Sequence, residues 1–227
     1  TTCLSGKGTA RRLVSFLKEG ISWEHKNNVD IIPIDNNDIK KDSIIISDQI
    51  KKEIVAIVGT ANPHIDGINF IGVEQILFGD GLAKINCLLD EMEVVETDLN
   101  INNISREKAL DLALEFISET NITGNRKELI NATVKTLNNL EEYTHVKYNA
   151  SEVARFVIHF IFMLERIINN EAITVCVEKE KIKTKYSRLL ECLGAATSHI
   201  VVDLKLEIPE EEFYFLAMIF IGEEIYN

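Results

Sequence analysis

Glu152-Val-Ala-Arg-Phe-Val-Ile-His-Phe-Ile-Phe-Met-Leu-Glu-Arg166 is the stretch on which the fold turns. It is apolar enough to be a core helix, yet it carries charge at selected positions. At about 100° per residue, Glu152, Arg155, His159 and Arg166 fall within about 60° of one another. They form a narrow polar stripe on a helix otherwise covered by Val, Ile, Phe, Met and Leu. Two arginines beside one histidine favour the neutral, nucleophilic imidazole by like-charge repulsion, and guanidinium groups suit phosphate oxygens. A partly buried histidine paired with Glu152 accounts for the same stripe.

Outward from this helix, residues 104–227 read as helix only. Ser105 with Glu107 caps a run over 109–117, and 126–140, 151–169, 179–202 and 210–226 follow, the last after Pro209. Long helices joined by short polar turns predict an α-helical bundle. Residues 1–89 alternate instead. Short strands are expected at 29–34, 54–59 and 68–71, with helices over 37–52 and most of 73–89, which predicts a small parallel α/β sheet domain. The acidic segment 90–103 is the expected linker.

The chain starts Thr1-Thr-Cys-Leu-Ser-Gly-Lys-Gly-Thr-Ala10 and runs into a helical pattern over 10–18. A thiol at Cys3, followed by Ser5, Gly6, Gly8 and Thr9 ahead of a helix N-terminus, is an arrangement that can cradle an anion and ionise the thiol. It equally describes a tight strand-to-helix turn with a buried cysteine. The sequence lacks an initiator methionine, and a strand ending at Cys3 is expected to start upstream, so the chain reads as a piece of a longer protein.

Composition narrows the function classes. The 227 residues are 46% hydrophobic and carry a net charge of −12, which argues against a nucleic-acid surface. No apolar run reaches membrane-spanning length, and no signal peptide is expected. Cysteines 3, 87, 176 and 192 form no Cys-x-x-Cys pair, so neither a zinc site nor a disulfide framework is expected and a cytoplasmic setting is. No metal or other cofactor is called for. His25, His64, His145 and His199 read as structural.

Two stretches together resemble a known family. Phe156-Val-Ile-His-Phe-Ile-Phe-Met-Leu-Glu-Arg166 resembles the first histidine motif of the phosphotransferase-system regulation domain, or PRD. Ile208-Pro-Glu-Glu-Glu-Phe-Tyr-Phe-Leu-Ala-Met-Ile-Phe220 resembles its second. The Cys3 loop resembles the phosphocysteine loop of enzyme IIB components of sugar phosphotransferase systems, with Lys7 as a departure. The succession of the two is similar to the C-terminal region of LevR-type activators that work with sigma-54 RNA polymerase.

The resemblance implies a non-enzymatic regulatory fragment that senses phosphotransferase-system activity through phosphorylation of His159. Arg155 and Arg166 would clamp the phosphoryl group, and HPr or a sugar-specific enzyme IIB would donate it. The second motif's histidine is replaced by Ile219. A homodimer is expected, with no direct nucleic-acid or membrane contact. By the same resemblance Cys3 matches the phosphocysteine, with Ser5, Gly6, Gly8 and Thr9 as its cradle, and the alternative function is a IIB-type phosphoryl carrier using Cys3. A low-molecular-weight phosphatase is disfavoured because Thr9 stands where its Cys-x5-Arg loop needs arginine. A purely structural dimerisation module is the remaining rival.

Overall fold

The computed structural model describes residues 2–3, 7–22, 24–25, 27–35, 54–60, 62, 65–90 and 104–221. The chain divides into two compact units, Thr1–Asn103 and Ile104–Asn227.

In the first unit, strand β1 (Thr2–Cys3) leads to helix α1 (Lys7–Gly20), and strand β2 (Ile34–Asp35) pairs parallel to β1, Thr2 with Ile34 and Cys3 with Asp35. Strands β3 (Ala56–Gly59) and β4 (Asn69–Gly72) form a second parallel pair, Ala56 opposite Asn69 through Gly59 opposite Gly72. The parallel pairing expected from the sequence is present, but as two two-stranded pairs among the described residues rather than one sheet. Of the segment 29–34, only Ile34 enters a ladder. The helix expected over 37–52 lies outside the described residues.

The helical run expected over 73–89 is split into α2 (Val73–Phe78) and α3 (Gly81–Leu89). Gly81 lets α3 lie close against α2. A Cβ there would stand 2.7 Å from the Gln75 carbonyl carbon and 2.7 Å from the Ile76 nitrogen, so the two helices approach at a distance only glycine permits. Leu17 and Ile21 on one side and Val58, Ile71, Ile76 and Ile85 on the other make the core of this unit.

The second unit is built of helices, with no strand among its described residues. Its helices are α4 (Arg106–Glu119), α5 (Arg126–Thr144), α6 (Ala150–Ile168), α7 (Lys179–Lys185), α8 (Ser187–Thr197), α9 (His199–Asp203) and α10 (Glu210–Ile221). Ser105, Asn125 and Asn149 cap α4, α5 and α6 by accepting from the backbone N–H three residues on. Helix α6 is the centre, packed by α4, α5 and α10. From Phe156 to Arg166 every side chain on it is buried, as a helix must be when neighbours cover all its faces. Helix α10 is similar, with Tyr214 to Ile219 and Ile221 buried. Phe156 stacks on Phe160 and meets Phe220, which in turn meets Tyr148 at 4.3 Å between ring centroids.

The single helix expected over 179–202 is three. Tyr186 leaves helical geometry at φ −126° and ψ 30°, which parts α7 from α8. Across that break α7 is tied to α10, through Lys179 Nζ to Glu210 at 3.1 Å. A carboxylate inside the unit is paired as well. Buried Glu141 accepts from Arg106 Nε at 2.8 Å, from Lys147 and from the Tyr148 N–H. Burial pushes its carboxyl up, but bonds from Lys147 and Arg106 outweigh that and hold it below the usual carboxylate range.

Candidate functional site

Helix α6 carries the site, and its two ends fix how it sits. At the start, the Asn149 N–H donates to Glu152 Oε2 at 2.8 Å and the Glu152 N–H donates to Asn149 Oδ1 at 2.9 Å, a capping box. At the end, Asn170 is left-handed at φ 58°. There the Glu171 N–H donates to the Arg166 carbonyl at 2.8 Å and the Asn170 N–H to the Ile167 carbonyl at 3.1 Å. That is a Schellman closure with asparagine in the place glycine usually takes.

Between these ends His159 is 0% exposed. Neither Nδ1 nor Nε2 has a hydrogen-bond partner among the described residues. The pairing with Glu152 that the sequence allowed is not formed, because Glu152 closes the capping box instead. Burial, with the Arg166 charge adding to it, holds the imidazole well below its usual range, so the ring is neutral.

Arg166 is 6% exposed and donates from Nη2 to Glu212 Oε2 at 2.8 Å. Its Nε and Nη1 have no acceptor among the described residues. Arg155, on the same stripe, is half-buried. Glu212, in the first turn of α10, is 0% exposed, and its Oε1 accepts the Ile173 N–H at 3.0 Å. Burial pushes the Glu212 carboxyl up, and the Arg166 charge and the Ile173 N–H offset part of that. Each buried polar atom left without a partner costs about 1–3 kcal/mol. His159 and Arg166 hold four such atoms among the described residues, so keeping these two side chains buried is costly. An acceptor-rich anion bonded to the imidazole would satisfy the guanidinium donors that are now idle.

Glu212 and the Ile173 N–H were not singled out by the sequence reading. Three consecutive glutamates at 210–212 open α10, and nothing in their order says which turns inward. Ile219 is 1% exposed on α10.

His199 makes a contrasting environment. Its Nδ1 lies 2.9 Å from Asp203 Oδ2 and its Nε2 lies 3.0 Å from Thr136 Oγ1. Asp203 also accepts from Lys135 at 2.7 Å, and Lys135 first and His199 next hold its carboxyl below the usual range. His145 takes the left-handed position that ends α5. In the first unit His25 lies 2.6 Å from Asp90.

Cys3 ends β1, and α1 begins at Lys7, so Gly8 and Thr9 stand in its first turn rather than ahead of the helix. Ser5, Gly6 and His64 lie outside the described residues. Among the described residues no cluster of His, Cys, Asp and Glu could hold a metal ion, and no helix is long and apolar enough to cross a membrane.

Comparison with known proteins places this geometry. Residues 134–223, from within α5 to just beyond α10, match the PRD domain family. Over 227 residues, 99% of this chain, the sequence is 24% identical to the transcriptional regulatory protein LevR of Bacillus subtilis (strain 168). Over 218 residues, 95% of this chain, it is 22% identical to the transcriptional regulatory protein DagR of Salmonella typhimurium (strain 14028s / SGSC 2262). The chain covers 23% of the length of each relative. No solved structure matches it. Residues 134–223 are thus similar to the PRD domain family, and the chain as a whole is similar to LevR and DagR over less than a quarter of their length.

Proposed function

We propose that this chain is the sensing part of a sugar-operon transcriptional regulator, and that it reads phosphotransferase-system activity through a phosphoryl group on His159. The observation that carries the reading is a neutral, fully buried imidazole with both nitrogens unengaged, beside a buried guanidinium with two unengaged donors. A nucleophilic histidine needs a free lone pair, and a phosphoryl group of roughly −1.5 to −2 charges needs cationic donors. Arg166 supplies the donors from the core, and Arg155 adds a second cation on the stripe. The PRD match and the similarity to two transcriptional regulatory proteins support the same reading.

In the transfer, the lone pair of the unprotonated ring nitrogen attacks phosphorus. The bond from phosphorus to the donor's nitrogen or sulfur breaks, and its electron pair stays on the donor. The proton on the other ring nitrogen need not leave. The donor is HPr or a sugar-specific enzyme IIB component. Because His159 is covered on every side, transfer requires the helices around α6 to part, and a group of this charge opposes their closing again in the same arrangement. Burial thus turns a local modification into altered packing, which a homodimeric cytoplasmic regulator can pass on. The IIB-like resemblance of the first unit and a phosphoryl group on Cys3 belong to the alternative, a carrier.

Intact-mass analysis after incubation with phosphoenolpyruvate, enzyme I and HPr, with and without a cognate enzyme IIB, tests this. Wild type and Cys3→Ala are expected to gain a phosphoryl adduct and His159→Ala to gain none. An adduct lost only in Cys3→Ala replaces the sensor with the carrier.

A further inference from the structure

We propose that Glu212 is the counter-ion Arg166 gives up when His159 carries a phosphoryl group, which makes this carboxylate the link between the phosphosite and the segment that follows α6. The inference rests on the reading of His159 above. It starts from the way Arg166 is used. One of its nitrogens, Nη2, holds Glu212 Oε2 at 2.8 Å, while Nε and Nη1 have no acceptor among the described residues. A guanidinium presents its donors in one rigid plane, and a phosphoryl group is best held by two of them at once.

Charge decides what happens next. In the unmodified protein one buried cation faces one buried carboxylate. Adding roughly −1.5 to −2 charges at His159 leaves Arg166 with two anionic claimants in an apolar core. The phosphoryl group is covalently fixed to the middle of α6. Glu212 is not so confined. It sits in the first turn of α10, next to half-buried Glu211 and exposed Glu210, so a small opening of that turn takes it to water. A buried carboxylate stripped of its cation is costly to keep where it is, which drives that opening.

The movement has a second consequence built into the same side chain. Glu212 Oε1 is the acceptor of the Ile173 N–H at 3.0 Å. Ile173 lies in the non-helical segment between the Schellman closure of α6 and the start of α7. When Glu212 leaves, that amide loses its acceptor, and the segment is released from α10. Glu212 touches neither the donor nor the reacting atoms. It is a positioning residue, acting through Arg166.

The test follows intact mass and amide hydrogen exchange in the same samples of the full chain, before and after phosphorylation from HPr with and without enzyme IIB. The expected result is an adduct together with exchange at the Ile173 amide faster by on the order of tenfold or more, with amides in the middle of α4 unchanged. An adduct with Ile173 still protected overturns the partner exchange and leaves sensing at His159 standing. Absence of an adduct overturns both. Glu212→Gln gives an independent reading, since it keeps an acceptor for Ile173 and removes the competing charge. It is expected to raise the fraction phosphorylated at a fixed donor ratio several-fold. A role confined to holding helices together would lower Tm without raising that fraction, and would overturn the proposal. If this variant does not fold, exchange in the wild type decides.

Discussion

His159 and His199 lie in the same helical unit, and the difference between them shows what makes a histidine available. His199 is tied at both nitrogens, to Asp203 and Thr136, and its carboxylate partner is tied again to Lys135. His159 is more deeply buried, and neither ring nitrogen has a hydrogen-bond partner among the described residues. A ring engaged on both sides locks α9 onto α5. A ring engaged on neither side, in a core that charges it no counter-ion, is held at a standing cost that bonding to an anion beside Arg166 can reverse.

The sharpest way to break this comparison is to exchange the two residues' fates. His159→Ala is expected to lose the phosphoryl adduct completely, and His199→Ala to keep it while loosening α9, as read by intact mass and by amide exchange. The reverse pattern would show that engagement of the ring nitrogens does not decide the site.

The next effect in size concerns the cation beside the ring. Arg166→Met leaves Glu212 buried without its partner and is expected to destabilise the protein by about 3–5 kcal/mol in denaturant unfolding. Arg166→Met combined with Glu212→Leu should recover much of that loss. Additive losses would mean the two side chains are not coupled.

A third test uses protons instead of phosphate. The folded-state imidazole of His159 titrates well below its ordinary value of 6.5, so below that pH the unfolded chain binds a proton the folded one refuses. Stability is therefore fully present above 6.5 and falls as pH is lowered, by about 1.4 kcal/mol per pH unit from this group. His159→Leu should remove that part of the slope between pH 6.5 and 5.5. An identical slope in both proteins would place a water-accessible ring at this position. The smallest expected effect is at the capping box. Asn149→Ala should cost about 1 kcal/mol by thermal or chemical unfolding and leave the adduct intact, which separates holding α6 from reacting on it.

Much of the helical unit is legible in the sequence, because α6 and α10 announce themselves by composition and their caps by residue type. The polar stripe of α6 was also readable, since helical spacing alone puts Arg155, His159 and Arg166 on one side. Partnership was less so. Glu152 reads as a companion of His159, although Asn149-x-x-Glu152 is itself a capping-box pattern, satisfied within one turn of chain. Glu212 was illegible for a different reason. Its bond to Arg166 joins residues 46 apart, and only the packing of α10 on α6 selects it from three adjacent glutamates. In the first unit, strand existence was readable but sheet membership was not, because strands of two to four residues carry too little pattern to specify their neighbours.

Helix α10 has one more consequence, for the chain before it folds. From Phe213 to Ile221 it offers no polar face, so this segment has nothing to gain from water and depends on α6, α7 and α8 for its cover. Until they are in place it is the kind of apolar, uncharged stretch that associates with copies of itself. The glutamates at 210–212 stand directly before it and repel such association while the chain is open. Replacing Glu210 and Glu211 by neutral residues should lower the yield of soluble protein on refolding far more than it changes the stability of what does fold.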